Sequence, residues 1–211
     1  MIPGFSGLES QMLASTFHLE HLARGNFVFY PDDAAETLYL VAEGWARLFE
    51  IHSEAEEVTV AVLGRGQIFG EAALRQSQTY GNFCESISDL EVYAARGQDL
   101  LELAQLRPEV GRALARLIAE RMNLAQADLV ALRFQDVLPR VARAVLTAMQ
   151  PVESGFEVML SHQDLAYLAF STRETVTKSL GDLAMQGILE LGYRRIIVID
   201  LEALRRAAYG K

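Results

Sequence analysis

The 211 residues carry a net charge of −9 with 51% hydrophobic and 22% charged side chains, the balance of an ordinary water-soluble chain with enough apolar residues for one or two cores. No window of eighteen apolar residues occurs, and the N-terminus lacks a basic segment followed by an apolar run and a small-residue cleavage site; a membrane span and a secretory leader are therefore not expected, and the cytoplasm is the expected compartment. The single cysteine, Cys84, excludes an internal disulfide, a four-cysteine cluster and a cysteine-based zinc site, and reads as a small half-buried strand residue.

The acidic excess is uneven. Residues 1–136 hold ten Arg and twenty Asp or Glu, whereas residues 137–211 hold nine Arg or Lys against eight Asp or Glu. A C-terminal third near neutrality can bind nucleic acid if its cations share one face, and an acidic remainder keeps the rest of the chain off the phosphates. Charge thus permits such a partner without arguing for it.

Residues 26–96 run in short apolar or alternating stretches, FVFY, TLYLVAEGWARLFEI, VTVAVLG, IFGEAAL and LEVYAA, divided by Gly, Pro, Asp and Ser. Strands this short, with turns every eight to twelve residues, predict a small all-β unit closing into a sandwich or barrel-like roll. The period then changes. Over residues 108–134, Ala115, Ile118, Met122, Ala125, Leu129 and Leu132 recur at alternating spacings of three and four, with Pro108 suited to a first helical turn. A helix of about 25 residues is about 38 Å long, more than one small domain requires. Its heptad seam predicts pairing with the same helix of a second subunit, the alternative being a long helix buried within a monomer. A second stripe, Leu114, Leu117 and Leu124, is expected against the β unit. Residues 136–139 read as a hinge, and residues 141–149 as a short helix closed by Pro151.

Beyond the strand-like FEVML, two helix starts follow from their caps: Ser161 with Asp164, and Ser171 with Glu174. The first helix, about residues 162–168, turns Leu165 and Leu168 inward with small Ala166 between them. The second, about residues 172–185, puts Val176, Leu180 and Leu183 on one face and Arg173, Glu174, Thr177, Lys178 and Gly181 on the other. A helix-turn-helix needs this division, because its second helix buries one side while reaching base edges with the other. Arg pairs bidentately with guanine and Glu accepts from cytosine, each worth about 1–3 kcal/mol of discrimination. Arg173 and Glu174 stand at the helix N-terminus as readers; Ser171, Thr172 and Thr175 are candidate phosphate contacts. The hairpin ILELGYRRIIVI, turning at Gly192 and Tyr193, supplies a wing with Arg194 and Arg195 near a phosphate path. On pattern alone the competing reading stays open, since many small domains hold two capped helices, a hairpin and a merely solvated charged face.

The stretch STRETVTKSLGDLAMQGIL closely resembles the recognition helix of the cyclic-AMP receptor protein and fumarate–nitrate reduction regulator (CRP/FNR) family. AETLYLVAEGWARLFE at 35–50 and GRGQIFGEAAL at 64–74 resemble that family's β-roll, so the likeness spans nearly the whole chain. It implies an α+β protein: an N-terminal cyclic-nucleotide-binding-like jelly roll over 1–104, a dimerisation helix over 105–136 and a winged helix-turn-helix over 137–211. It implies a homodimer on a palindromic double-stranded DNA site with TGTGA-like halves, Arg173, Glu174 and Lys178 contacting bases, and an activator that recruits RNA polymerase; a repressor stays open. Two residues depart from the family pattern: Lys178 replaces an Arg, turning a bidentate fork into a point charge, and Phe170 replaces the tight-turn Gly.

In the family's cyclic-AMP pocket a Gly-Glu turn precedes an Arg-Ser pair by some ten residues. Gly70 and Glu71 match the turn, but Gly81 and Asn82 stand where the pair is expected, leaving a buried phosphate without its cation. The Thr-Ser pair of the dimer helix is likewise matched by Ala125 and Gln126. The resemblance with these losses implies a regulator that does not require cyclic AMP, and leaves open one gated by a different small effector.

No cofactor and no metal are expected. His18, His21, His52 and His162 form no ligand motif and read as surface or hydrogen-bonded residues, and the Gly64, Gly66, Gly70 cluster reads as a turn. No catalytic constellation is present. A cupin-like enzyme would need a histidine cluster within the roll, which residues 27–93 lack. A ligand-binding module acting on a protein partner is the rival of another class.

Overall fold

The alternating stretches fold as strands because side chains of a strand point in turn to opposite faces, and each sheet here has at least one face to bury. A computed structural model describes residues 2–52, 56–75, 79–153, 155–193 and 195–210. The chain divides into two units, residues 1–126 and 127–211, with the boundary inside one long helix.

In the first unit a short helix α1 (Gly7–Leu13) precedes eight strands: β1 (His18–Leu22), β2 (Phe27–Phe29), β3 (Thr37–Glu43), β4 (Ala46–Ile51), β5 (Glu57–Leu63), β6 (Ile68–Phe69), β7 (Phe83–Ser86) and β8 (Leu90–Arg96). They form two antiparallel four-stranded sheets, ordered β1-β8-β3-β6 and β2-β7-β4-β5. The interior between them is filled by Phe29, Tyr39, Val41, Leu48, Leu63, Phe69, Cys84 and Val92. Cys84 is fully buried rather than half-buried, and burial pushes its thiol pKa up. Of the stretch IFGEAAL only Ile68 and Phe69 extend; Glu71–Leu74 is a 3-10 turn entered through Gly70. The sequence pattern does not mark strands β1 and β7, since HLEHL and FCES carry too few apolar residues.

The outer face of the first sheet bears Leu38, Leu40 and Ile68, and is closed by Ile2, Phe5, Leu13 and Phe17 together with helices α2 (Gly97–Leu106) and α3 (Pro108–Phe134). Helix α3 begins at Pro108 and ends at Phe134, as the periodicity predicts. Leu114 and Leu117 are buried in this second core, each burial worth about 1.5–3 kcal/mol. Leu124 departs from the expectation: it is exposed, because contact of α3 with the roll core ends at Leu117 and Ile118.

The second unit contains α4 (Val137–Ala148), β9 (Gln150–Val152), β10 (Gly155–Val158), α5 (His162–Leu168), α6 (Arg173–Met185), β11 (Leu189–Gly192), β12 (Arg195–Val198) and α7 (Leu201–Tyr209). The expected hinge is shorter than the sequence suggests. Asp136 is already the N-terminal cap of α4, and Pro139 sits within its first turn, where a missing N–H costs nothing. The four strands form one antiparallel sheet, β11-β12-β10-β9. Val141, Val145, Leu165, Val176, Leu180, Leu183 and Leu204 are buried within this unit.

Candidate nucleic-acid interface

Helix α5 starts as its sequence dictates: the Ser161 hydroxyl accepts from the Asp164 amide, and the Asp164 carboxylate accepts from the Ser161 amide at 2.9 Å and hydroxyl at 2.7 Å. Ala166 is fully buried, which allows α6 to cross closely; Leu165 is buried and Leu168 half-buried. The start of α6 differs by one residue from expectation. Thr172, not Ser171, caps it, accepting from the Thr175 amide, and the two threonine hydroxyls are 2.9 Å apart. The Ser171 amide is committed to α5, donating to the Ala166 carbonyl at 2.9 Å, so it is not free for the Glu174 half of a Ser171 capping box.

The turn between the helices ends α5 in a Schellman arrangement: Phe170 N–H bonds Tyr167 O at 3.2 Å while Ser171 N–H bonds Ala166 O. The residue in the left-handed position is usually Gly, and Phe170 adopts it with φ +48°, the lone non-glycine at positive φ among the described residues. A side chain there costs of order 1–2 kcal/mol.

Helix α6 buries Val176, Leu180 and Leu183, as its spacing predicts, and also Ser179. Its other side presents Arg173, Glu174, Thr177 and Lys178 to solvent; Gly181 is half-buried. Among the described residues, Arg173, Glu174 and Lys178 form no ion pair, so their charged heads are available to a partner. The exposed N-terminus of this 13-residue helix adds the positive end of its dipole. His162 of α5 faces it, its Nδ1 hydrogen-bonded to the Thr177 hydroxyl at 2.9 Å. Burial first, and the Arg173 cation second, hold the His162 pKa below its ordinary value. His18, His21 and His52 pair with Glu20, Glu91 and Glu50, in keeping with satisfied residues.

Strands β11 and β12 form the wing, pairing Gly192 with Arg195, and Tyr193 at its tip is 94% exposed. A cleft lined by Ser161, His162, Gln163, Arg173, Tyr193 and Arg195 separates the wing from the start of α6. The Arg195 guanidinium is paired with Glu157 of the neighbouring strand, so any phosphate contact competes with that carboxylate. Arg194 lies outside the described residues.

Residues 19–107 match the cyclic nucleotide-binding domain family, and residues 139–207 match the Crp-like helix-turn-helix domain family. A cyclic AMP receptor protein of Thermus thermophilus is 35% identical over 211 residues, covering 99% of this chain and 97% of the relative. The transcriptional regulator LdrP of the same organism is 30% identical, covering 90% of this chain and 96% of its own. Among solved structures, a transcriptional regulator of the CRP family, also from Thermus thermophilus, superposes with a TM-score of 0.77 at 28% identity, covering 91% of this chain and 97% of the other.

The chain belongs to the CRP/FNR family of transcription regulators. It is a DNA-binding regulator and not an enzyme, and the α+β architecture of roll, long helix and helix-turn-helix is the family's own. Within the described residues no helix is long and apolar enough to cross a membrane.

The family's effector-pocket positions take the following form. Gly70 is left-handed, and a Cβ there would lie 2.7 Å from the Thr37 carbonyl oxygen, so only glycine fits. Glu71 is ion-paired with Arg121 of α3 at 3.8 Å. Gly81 is also left-handed, its amide donating to Pro31 O at 2.9 Å, and neither it nor half-buried Asn82 offers a charge. Ala125 and Gln126 are exposed on α3. Two residues that sequence reasoning passed over dominate this region. Tyr80 stacks on Phe29 with ring centroids 3.8 Å apart, and its hydroxyl donates to Thr37 O at 2.9 Å while accepting from Thr37 N–H at 3.1 Å. Arg121, the more buried partner of the pair, places its cation beside Glu71. No motif marks either residue; only the fold brings them to Gly70.

The predicted heptad seam of α3 lies open. Ala115, Met122, Ala125, Leu129 and Leu132 are exposed and Ile118 is half-buried, with Met122 at 57% and Leu129 at 68%.

Proposed function

We propose that the protein acts as a cytoplasmic homodimer that reads a two-fold symmetric, TGTGA-like DNA site through Arg173, Glu174 and Lys178, and that it does so without requiring cyclic AMP. The observation that carries this reading is the surface of α6: three charged side chains, exposed and without ion pairs among the described residues, at the N-terminal half of a helix whose opposite side is locked in a core. Thr172, Thr175 and Ser171 lie beside them for phosphates, with Arg195 contributing from the wing. The open seam Ala115, Ile118, Met122, Ala125, Leu129 and Leu132 supports pairing of two α3 helices, since a contiguous apolar stripe in water is a binding surface. The domain roles follow: residues 1–104 a roll, 105–136 the dimer helix, 137–211 the DNA reader.

Independence from cyclic AMP rests on the pocket. Gly81 and Asn82 supply no cation for a buried phosphate, Ala125 and Gln126 present no hydroxyl pair, and the Tyr80 ring already fills space beside Phe29. As in family relatives named for cyclic AMP, the roll is retained; its ligand chemistry is not. Regulation is by activation through recruitment of RNA polymerase. Selection of bound sequences from random duplex DNA, with and without cyclic AMP, tests all of this together. The expected outcome is one palindromic motif, identical in both arms; a motif recovered only with cyclic AMP overturns the effector reading, and no motif overturns the site.

A further inference from the structure

We propose that Arg140 is a positioning residue for DNA reading: one guanidinium, reaching from α4, holds the left-handed turn between α5 and α6 and thereby fixes the approach of the recognition helix. The inference rests on α6 being the helix that reads DNA.

Arg140 is 9% exposed, in the first turn of α4 at the N-terminal end of its buried face. Its Nη1 donates to the Ala169 carbonyl at 2.7 Å and to the Phe170 carbonyl at 3.0 Å. Among the described residues no carboxylate pairs with it, and its Nε is buried without a hydrogen-bond partner. The nearest like charge on its helix, Arg143, is turned to Asp128 at 3.0 Å. A buried cation without a counter-ion is costly, so its place needs a reason beyond packing.

The turn supplies one. A last helical bond satisfies the Ala169 N–H and the Schellman pair those of Phe170 and Ser171, leaving the carbonyls of Ala169 and Phe170 to the Arg140 donor. Both are met by the same charged donor, and hydrogen bonds to an ionised donor are about twice as strong as neutral ones. The carbonyl of Phe170 belongs to the residue forced to φ +48°, a conformation a bulky side chain leaves readily when nothing holds it. Thr172, two residues on, is the cap of α6, so a relaxed turn displaces the start of the reading helix. Gly at position 170 would need no such restraint; the clamp answers the Phe.

The test is a cycle of four full-length proteins: wild type, Arg140→Met, Phe170→Gly and the double variant. Each is titrated with a selected specific duplex and with a scrambled duplex of the same length, and unfolded thermally. Arg140→Met is expected to lose specific affinity on the order of tenfold, within the range that coupled neighbours span, with scrambled-duplex binding unchanged. The double variant is expected to recover to within about threefold of wild type, because a glycine turn holds its own shape. Equal loss on both duplexes, no loss, or no recovery in the double variant overturns the proposal. Should Arg140→Met fail to fold, Arg140→Gln serves instead: it stays polar but its side-chain amide ends two bonds short of the position of Nη1, out of reach of the two carbonyls, and the same loss and recovery are expected. A wild type without duplex preference sinks the DNA-reading assignment separately. The clamp is then judged on unfolding alone, where the destabilisation by Arg140→Met must shrink in the Phe170→Gly background.

Discussion

Arg47 in the β-roll and Arg173 on α6 are the same residue type in opposite circumstances. Arg47 is 2% exposed, bonded to Glu57 at 2.8 Å, Glu85 at 2.9 Å and Thr59 at 3.0 Å, with its guanidinium 4.3 Å from the centre of the Phe49 ring. Arg173 stands in solvent with no ion pair among the described residues. A cation whose field is already neutralised builds the fold; one whose field is not can bind a polyanion. The contrast explains how a chain of net charge −9 presents cations on its proposed reading helix that are unpaired among the described residues: twenty of its 28 acidic residues lie in residues 1–136, several of them paired with arginines there.

Substitution separates the two roles. Arg47→Met strands Glu85, which is 20% exposed, and is expected to destabilise the roll by about 3 kcal/mol, read as a fall in melting temperature of about 6–12 °C, while DNA affinity below the transition stays unchanged. Arg173→Ala is expected to do the reverse: stability within about 0.5 kcal/mol of wild type, and a loss of about 1–3 kcal/mol in specific binding with base preference relaxed at one half-site position. Leu129→Glu, on the open seam, is expected to shift the protein toward monomer in sedimentation and to weaken binding to the full palindrome more than to a half-site. An unchanged sedimentation coefficient would remove the seam from the interface.

Two smaller effects sharpen the picture. Cys84, fully buried with its pKa raised, is expected to resist thiol reagents in the native protein and react on unfolding. The pKa of His162 is depressed in the folded state, so the stability tied to its neutral form is complete above its ordinary value of 6.5 and is lost as pH falls from there toward the lowered folded value. Thermal unfolding of His162→Gln between about pH 7 and pH 5 is expected to show a flatter slope than wild type.

Much of this was legible in the sequence where periodicity or capping carries it. Helix α3 begins and ends where its heptads and Pro108 put it, α5 starts at its Ser161 box, and the buried side of α6 follows from Val176, Leu180 and Leu183. The resemblance supplied the order of the parts. What escaped is tertiary. Thr172 caps α6 one residue after Ser171, whose amide closes the end of α5; Leu124 was left in water because the roll ends first; Arg195 found Glu157 across a strand pair. Phe170 shows the boundary well: the sequence flagged a strained turn, but not that Arg140, thirty residues earlier, would hold it.

The most direct test of the central claim is the stoichiometry and affinity of the purified protein on one palindromic TGTGA-type duplex against a scrambled duplex, by sedimentation and fluorescence anisotropy at physiological salt without cyclic AMP. The account predicts one dimer per palindrome and a preference of at least about 10³ over the scrambled duplex. A monomer on the DNA, or equal affinity for both duplexes, would contradict it.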